Sequence, residues 1–221
     1  MKSWVLRFGL PTLLGAFLLV PATYASTITV LNPSFEQLPS GGLTNTCGTG
    51  CSFGPGVPGW TTTGADGEFR PGAPTNKTIF NTIPDGTTIA YSNGGTTSQI
   101  VTPTVVAGEI YTLTVDVGVR KGGSDPGSEA LVINGHTYLA TGTLPVGGNW
   151  ATFTATYTGK AADVGKSIEI LLSSPGVQAD WDNVKLSGVP GSDVPETTTS
   201  LLLGTGLALL GLVARRKRRA A

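Results

Sequence analysis

The chain has 221 residues, with 14 Lys and Arg, 14 Asp and Glu, one His and two Cys. Seven of the cations lie near the two ends and seven remain in the middle, whereas all 14 acids fall between Glu36 and Glu196. The middle therefore carries an excess of acid, which repels nucleic acid and anionic lipid and suits divalent cations and neutral sugars.

In chain order, the first predicted element is a secretory signal peptide over residues 1–25. Lys2 and Arg7 precede an apolar stretch from Phe8 to Val20, and small residues follow before a cut after Ala25 or Ala22. Residues 26–188 then read as one β-sandwich domain. "STITVLN", "PGWTTTG", "GEFRP", "TTIAYS" and "TSQIVT" give short strands. A Gly-rich loop spans residues 38–57 and holds Cys47 and Cys51. An exported compartment permits a disulfide between them, read here as a local clip on the loop. "EIYTLTVDVGVR" alternates apolar and polar residues through Tyr111, Leu113, Val115, Val117 and Val119, the mark of a half-buried strand. "EALVINGHTYLA" predicts a hairpin about Asn134-Gly135. "WATFTATY", "SIEILLS" and "DWDNVKLSG" complete the set. Many short strands with Gly, Pro and Asn turns imply an all-β fold, a jelly-roll β-sandwich.

Residues 189–200 form a linker, and 201–214 are almost entirely apolar. At 1.5 Å per residue that run alone makes a helix of roughly 20 Å, short of a bilayer; residues 197–200 bring it to the short end of the spanning range. Arg215, Arg216, Lys217, Arg218 and Arg219 within the basic tail 215–221 set its orientation, with the tail cytoplasmic and the domain outside.

Val194-Pro195-Glu196, a spacer, a Gly/Leu-rich span and an Arg-rich end together resemble a PEP-CTERM sorting signal, with Thr197 where that family most often has a second Pro. The resemblance implies processing by an exosortase-type enzyme, membrane insertion during sorting, a cell-envelope or extracellular destination, and exopolysaccharide nearby. "NPSFE" followed by "PGW", and "DNV" on the last strand, are similar to the galactose-binding-like jelly rolls that include many carbohydrate-binding modules. That resemblance implies neighbouring first and last strands with a structural calcium near them.

For the chemistry, simple alternation puts Asp182, Val184 and Leu186 on an inward face and Trp181, Asn183 and Lys185 on the other. An inward carboxylate is costly unless paired or metal-bound. Glu36 and Asp182, with Asp180 as a further ligand, are the expected calcium site; the alternative is Asp182 as a hydrogen-bond acceptor. Trp181, Trp60 and Tyr91 are the expected ligand-binding aromatics, Trp181 as the most exposed, set against core burial for each. The single His136 follows the hairpin turn and reads as solvated. No catalytic motif is present in the sequence.

The first expectation is therefore a non-catalytic, calcium-stabilised surface or matrix protein that binds a glycan such as exopolysaccharide, and no nucleic acid. The alternative is a jelly-roll enzyme: a glycan-active hydrolase, or a relative of the Stig cyclases. Those share the signal peptide and strand pattern and use an acidic proton donor in an apolar pocket.

Overall fold

A computed structural model describes residues 24–191 except 49, 74, 125 and 126. The strands are β1 (Ser26–Ile28), β2 (Asn45–Thr46), β3 (Ser52–Pro55), β4 (Thr61–Arg70), β5 (Ile89–Val101), β6 (Ile110–Val119), β7 (Ser128–Ile133), β8 (His136–Leu139), β9 (Asn149–Thr158), β10 (Ile168–Ser174) and β11 (Ala179–Val189), with one 3-10 turn at Ala161–Asp163. All pairings between these strands are antiparallel. The fold is all-β, a sandwich of jelly-roll type.

The long strand β5 makes the sandwich possible. Its first part, Ala90–Ser92, pairs with β11, and its second part, Gly95–Val101, pairs with β10. One branch continues as β10–β7–β8 and the other as β11–β6–β9, with β1 beside β11. The branches close on a shared core of Leu113, Val115 and Val117 of β6, Leu131 and Ile133 of β7, Ile170 and Leu172 of β10, and Val184 and Leu186 of β11. Each such side chain contributes about 1.5–3 kcal/mol when withdrawn from water. The β4–β5 ladder shifts register between Gly64 and Asp66. Gly64 has φ +76°, and a Cβ there would stand 2.1 Å from the Gly94 carbonyl oxygen, so this bulge admits no side chain.

The alternation of β6 is as the sequence predicts, with Tyr111, Leu113, Val115, Val117 and Val119 all buried. The hairpin between β7 and β8 turns on Asn134 (φ 51°) and Gly135 (φ 77°), the two positive φ values of a type I′ turn. His136 is exposed. The separate strands expected at 58–64 and 67–71 are one strand, β4, and those at 87–92 and 97–102 are one strand, β5. Long continuous strands let one layer feed both branches.

The expected facing of the last strand is corrected. Asp182 pairs with Asp116 but Lys185 pairs with Thr114, so β11 spends one more residue than β6 over this stretch. The extra residue is taken up around Asn183, at φ 52°. A bulge of this kind reverses the phase of every residue beyond it. Trp181 therefore shares the core with Val184 and Leu186, and Asp182 stands on the opposite face of the strand.

Of the terminal elements, residues 1–23 of the signal peptide, Val194, Pro195 and Glu196, the apolar span 201–214 and the basic tail lie outside the described residues. No helix among the described residues is long and apolar enough to cross a membrane.

Candidate active site

The outer face of the β4–β5–β11–β6 layer carries a second, smaller apolar cluster: Cys51, Phe69, Phe80, Ile89 and Tyr91, with Phe53, Ile79, Ile83 and Trp150 against it. Strand register builds it. Phe53 pairs across to Phe69, Phe69 to Ile89, and Tyr91 to Asp180. Tyr91 packs edge-on against both Phe53 and Phe69, with centroids 6.0 and 6.4 Å apart.

Two loops wall this face. A disulfide joins Cys47 and Cys51 across the turn between β2 and β3. The loop between β4 and β5 is tied down by Lys121 N–H donating to the Ile79 carbonyl (3.0 Å) and Asn81 N–H to Gly148 (2.8 Å). Trp150 adds its indole N–H to the Thr82 carbonyl (2.9 Å) and packs at a tilt against Phe80. Between the walls lies a cavity of about 220 Å³ lined by Cys47, Phe53, Phe69, Ile79, Tyr91, Asn93, Arg120 and Gln178.

Under this cavity sits Asp180, 1% exposed. Arg120 Nε donates to its Oδ2 (2.9 Å) and Nη2 to its Oδ1 (3.4 Å), while Gln178 Nε2 donates to Oδ1 (2.8 Å). The guanidinium lies over the Phe69 ring, 4.6 Å from its centroid. Burial pushes the Asp180 carboxyl above its usual range, and Arg120 and Gln178 offset part of that rise. Burial also raises the Tyr91 phenol, with the Asp66 carboxylate adding to the effect. The site thus combines aromatic walls, one withdrawn carboxylate and a cation held between them, the elements of acid–base chemistry on a small apolar molecule.

The sequence-predicted residues are distributed differently from expectation. Asp180 is committed to Arg120 and Gln178 and does not join Asp182. Glu36 and Asp182 both anchor the loop before β5. Glu36 Oε1 accepts from the N–H groups of Thr87 (2.7 Å) and Thr88 (2.6 Å), and Asp182 Oδ2 accepts from Asp85 N–H (2.9 Å). Gly86 has φ +66° there, a conformation that favours glycine, and a Cβ would crowd the Glu36 carboxyl. Among the described residues, no group of three or more His, Cys, Asp or Glu is placed to hold a metal ion. Trp181 is fully buried, its indole donating to Glu129 Oε1 (2.6 Å), because the bulge turns it inward. Trp60 also belongs to the core and donates to the Leu31 carbonyl (2.8 Å). Tyr91 alone of the three proposed aromatics lines the cavity.

Arg120, Gln178, Phe53 and Phe69 were missed as site residues. The signal for Arg120 was present: if Val115, Val117 and Val119 face inward, Arg120 follows in the phase of Asp116, on the outer face.

A protein-family model for HpiC1-like proteins, described as HpiC1 cyclase, matches residues 26–187. The chain belongs to the HpiC1-like family. Among solved structures, a cyclase from Fischerella sp. TAU is similar with a TM-score of 0.60 and 21% identity, over 76% of this chain and 100% of that one. The Stig cyclase Fisc from Fischerella sp. TAU, in complex with (3Z)-3-(1-methyl-2-pyrrolidinylidene)-3H-indole, gives 0.63 and 22%, again over 76% and 100%. A Fischerella sp. TAU cyclase in complex with 4-(1H-indol-3-yl)butan-2-one gives 0.60 and 22%, over 76% and 99%. No curated protein matches the chain. At these identities the structures establish the fold. The family match corrects the first functional expectation: a non-catalytic surface protein gives way to the alternative, membership of a cyclase family.

Proposed function

We propose that this HpiC1-like protein is an enzyme of cyclase type that acts on a small aromatic molecule, with Asp180 as its acid–base group. The observation that carries the reading is a buried carboxylate directly beneath an aromatic cavity, in a chain whose family is described by a cyclase. The cavity falls below the roughly 300–1,000 Å³ of drug-sized pockets, so it suits a compact ligand rather than an oligosaccharide. The indole compounds in the two Fischerella complexes support a ring system of that size.

Phe53, Phe69 and Tyr91 hold the ring by stacking and edge contacts and exclude water. Arg120 and Gln178 fix the carboxylate. Proton transfer at the ligand requires one oxygen to be released; Oδ2 is held by Arg120 Nε alone, whereas Oδ1 accepts from both Arg120 Nη2 and Gln178 Nε2. The proton then moves between Asp180 and the ring system as bonds rearrange.

The test is conversion of a panel of small indoles by the full-length chain, followed by mass spectrometry. Asp180→Asn keeps shape and removes the proton-carrying group, so turnover is expected to fall by about 10²–10⁴. Turnover unchanged in a folded Asp180→Asn variant would exclude Asp180 from the chemistry.

A further inference from the structure

We propose that Arg120 makes the cavity selective for aromatic carboxylates. The inference rests on the reading of the cavity as a small-aromatic site and adds the ligand's polar group. Asp180 does not itself line the cavity; Arg120 does, with 28% of its side chain exposed. The charged group that an incoming molecule meets is therefore the cation.

Its hydrogen-bonding capacity is only partly used. Nε and Nη2 donate to Asp180, and Nη1 has no partner among the described residues. A guanidinium offers five N–H donors in a rigid fork, so a second carboxylate can take the edge that Asp180 leaves open. Phe69 beneath the guanidinium holds it in one plane, and Asp180 behind it fixes its direction. Two uncommitted polar groups complete the rim: the Asn93 amide and the Tyr91 hydroxyl line the same cavity and have no hydrogen-bond partner among the described residues. Both can donate to an anion. The apolar part of the lining, Phe53, Phe69 and Ile79, takes the ring. A planar aromatic ring bearing a carboxylate fills both halves, whereas a neutral aromatic leaves the Arg120 edge without a charge-assisted bond.

A purely structural Arg120, present to neutralise Asp180, would give no preference for a charged ligand. Titration calorimetry on the full-length chain separates the two roles, with indole-3-acetate and its neutral isostere indole-3-acetamide as probes. The wild type is expected to bind the acetate at least about tenfold more tightly, a difference of 1.4 kcal/mol. Arg120→Gln is expected to abolish that preference while retaining acetamide binding. Should Arg120→Gln leave Asp180 unpaired and fail to fold, Arg120→Lys retains the charge without the fork. Its preference is then expected to shrink severalfold. Equal affinities in the wild type, a preference that survives in Arg120→Gln, or one that is undiminished in Arg120→Lys, would overturn the role of Arg120 and leave the aromatic cavity standing. Binding of neither probe would remove the aromatic reading itself, and this inference with it.

Discussion

On its inner face, the layer formed by β4, β5, β11 and β6 presents Ala90, Val115, Val117, Trp181, Val184 and Leu186 to a closed core. On its outer face the same strands carry Phe69, Ile89, Tyr91 and Asp180 beneath two loops, beside an open cavity. The strand periodicity is shared, so the difference lies in what covers each face. The inner face is covered by a second layer of strands, which fills it to near-crystalline density. The outer face is covered by loops held by a disulfide and a few backbone hydrogen bonds, which leave room for a ligand. Stability is concentrated on one side and chemistry on the other.

A pair of truncations tests this division most strongly. Trp181→Ala removes the largest fully buried side chain and its bond to Glu129, and is expected to cost about 3–5 kcal/mol in denaturant unfolding. Phe53→Ala, on a half-buried residue of the cavity wall, is expected to cost less stability and to weaken binding of an indole probe. A stability loss at Phe53 equal to that at Trp181 would show that the two faces form one cooperative core and that the division is false.

The inner face was largely legible in the sequence. The alternation of β6 and the Asn134-Gly135 turn are local signals, and both are realised in the structure. The bulge at Asn183 was not legible, because it arises from a count of residues against a partner strand; that one residue sent Trp181 inward and separated Asp182 from Val184 and Leu186. The outer face was legible only in parts. Tyr91 was expected to contact a ligand and does line the cavity, but Arg120 and Asp180 are 60 residues apart and meet only through the β6–β11 register. The acid partner anticipated for Glu36 also changed character, since Glu36 and Asp182 converge on the backbone of one loop.

That loop gives the next test. A calcium ion at the Glu36–Asp182 junction is proposed from the "NPSFE" and "DNV" resemblance, and it would have to replace the N–H groups of Asp85, Thr87 and Thr88 as partners of these carboxylates. Binding to the native state alone would stabilise it by about 2.7 kcal/mol at a hundredfold excess over Kd. Thermal unfolding in calcium and in chelator is expected to show a higher midpoint in calcium, with Asp182→Asn removing the gain. Identical wild-type midpoints would leave both residues as anchors of a loop behind the cavity, with no metal.

The last test concerns an acid on the otherwise closed inner face. Glu68 pairs with Ala90, which pairs with Trp181, so all three stand in one row. Glu68 is fully buried; Oε1 accepts from Asn32 Nδ2 (2.9 Å) and Oε2 has no partner. Burial, with repulsion from Glu36, pushes its pKa from 4.5 to about 8, against the opposing bond from Asn32. Between those values the folded chain holds a proton that the unfolded chain has released. The native state then binds more protons than the unfolded state, so stability falls as pH rises through this window, by at most about 1.4 kcal/mol per pH unit for one group. Asp182, also raised to about 8, adds to the same trend. Glu68→Gln keeps the shape without the titration. It is expected to match the wild type near pH 5, to exceed it near pH 8 and to flatten the slope between them. A Glu68→Gln profile that runs parallel to the wild type from about pH 5 to pH 8 would mean that Glu68 is ionised in the fold, and that the inner face admits water or a counter-ion at the point where the comparison of the two faces requires it to be closed.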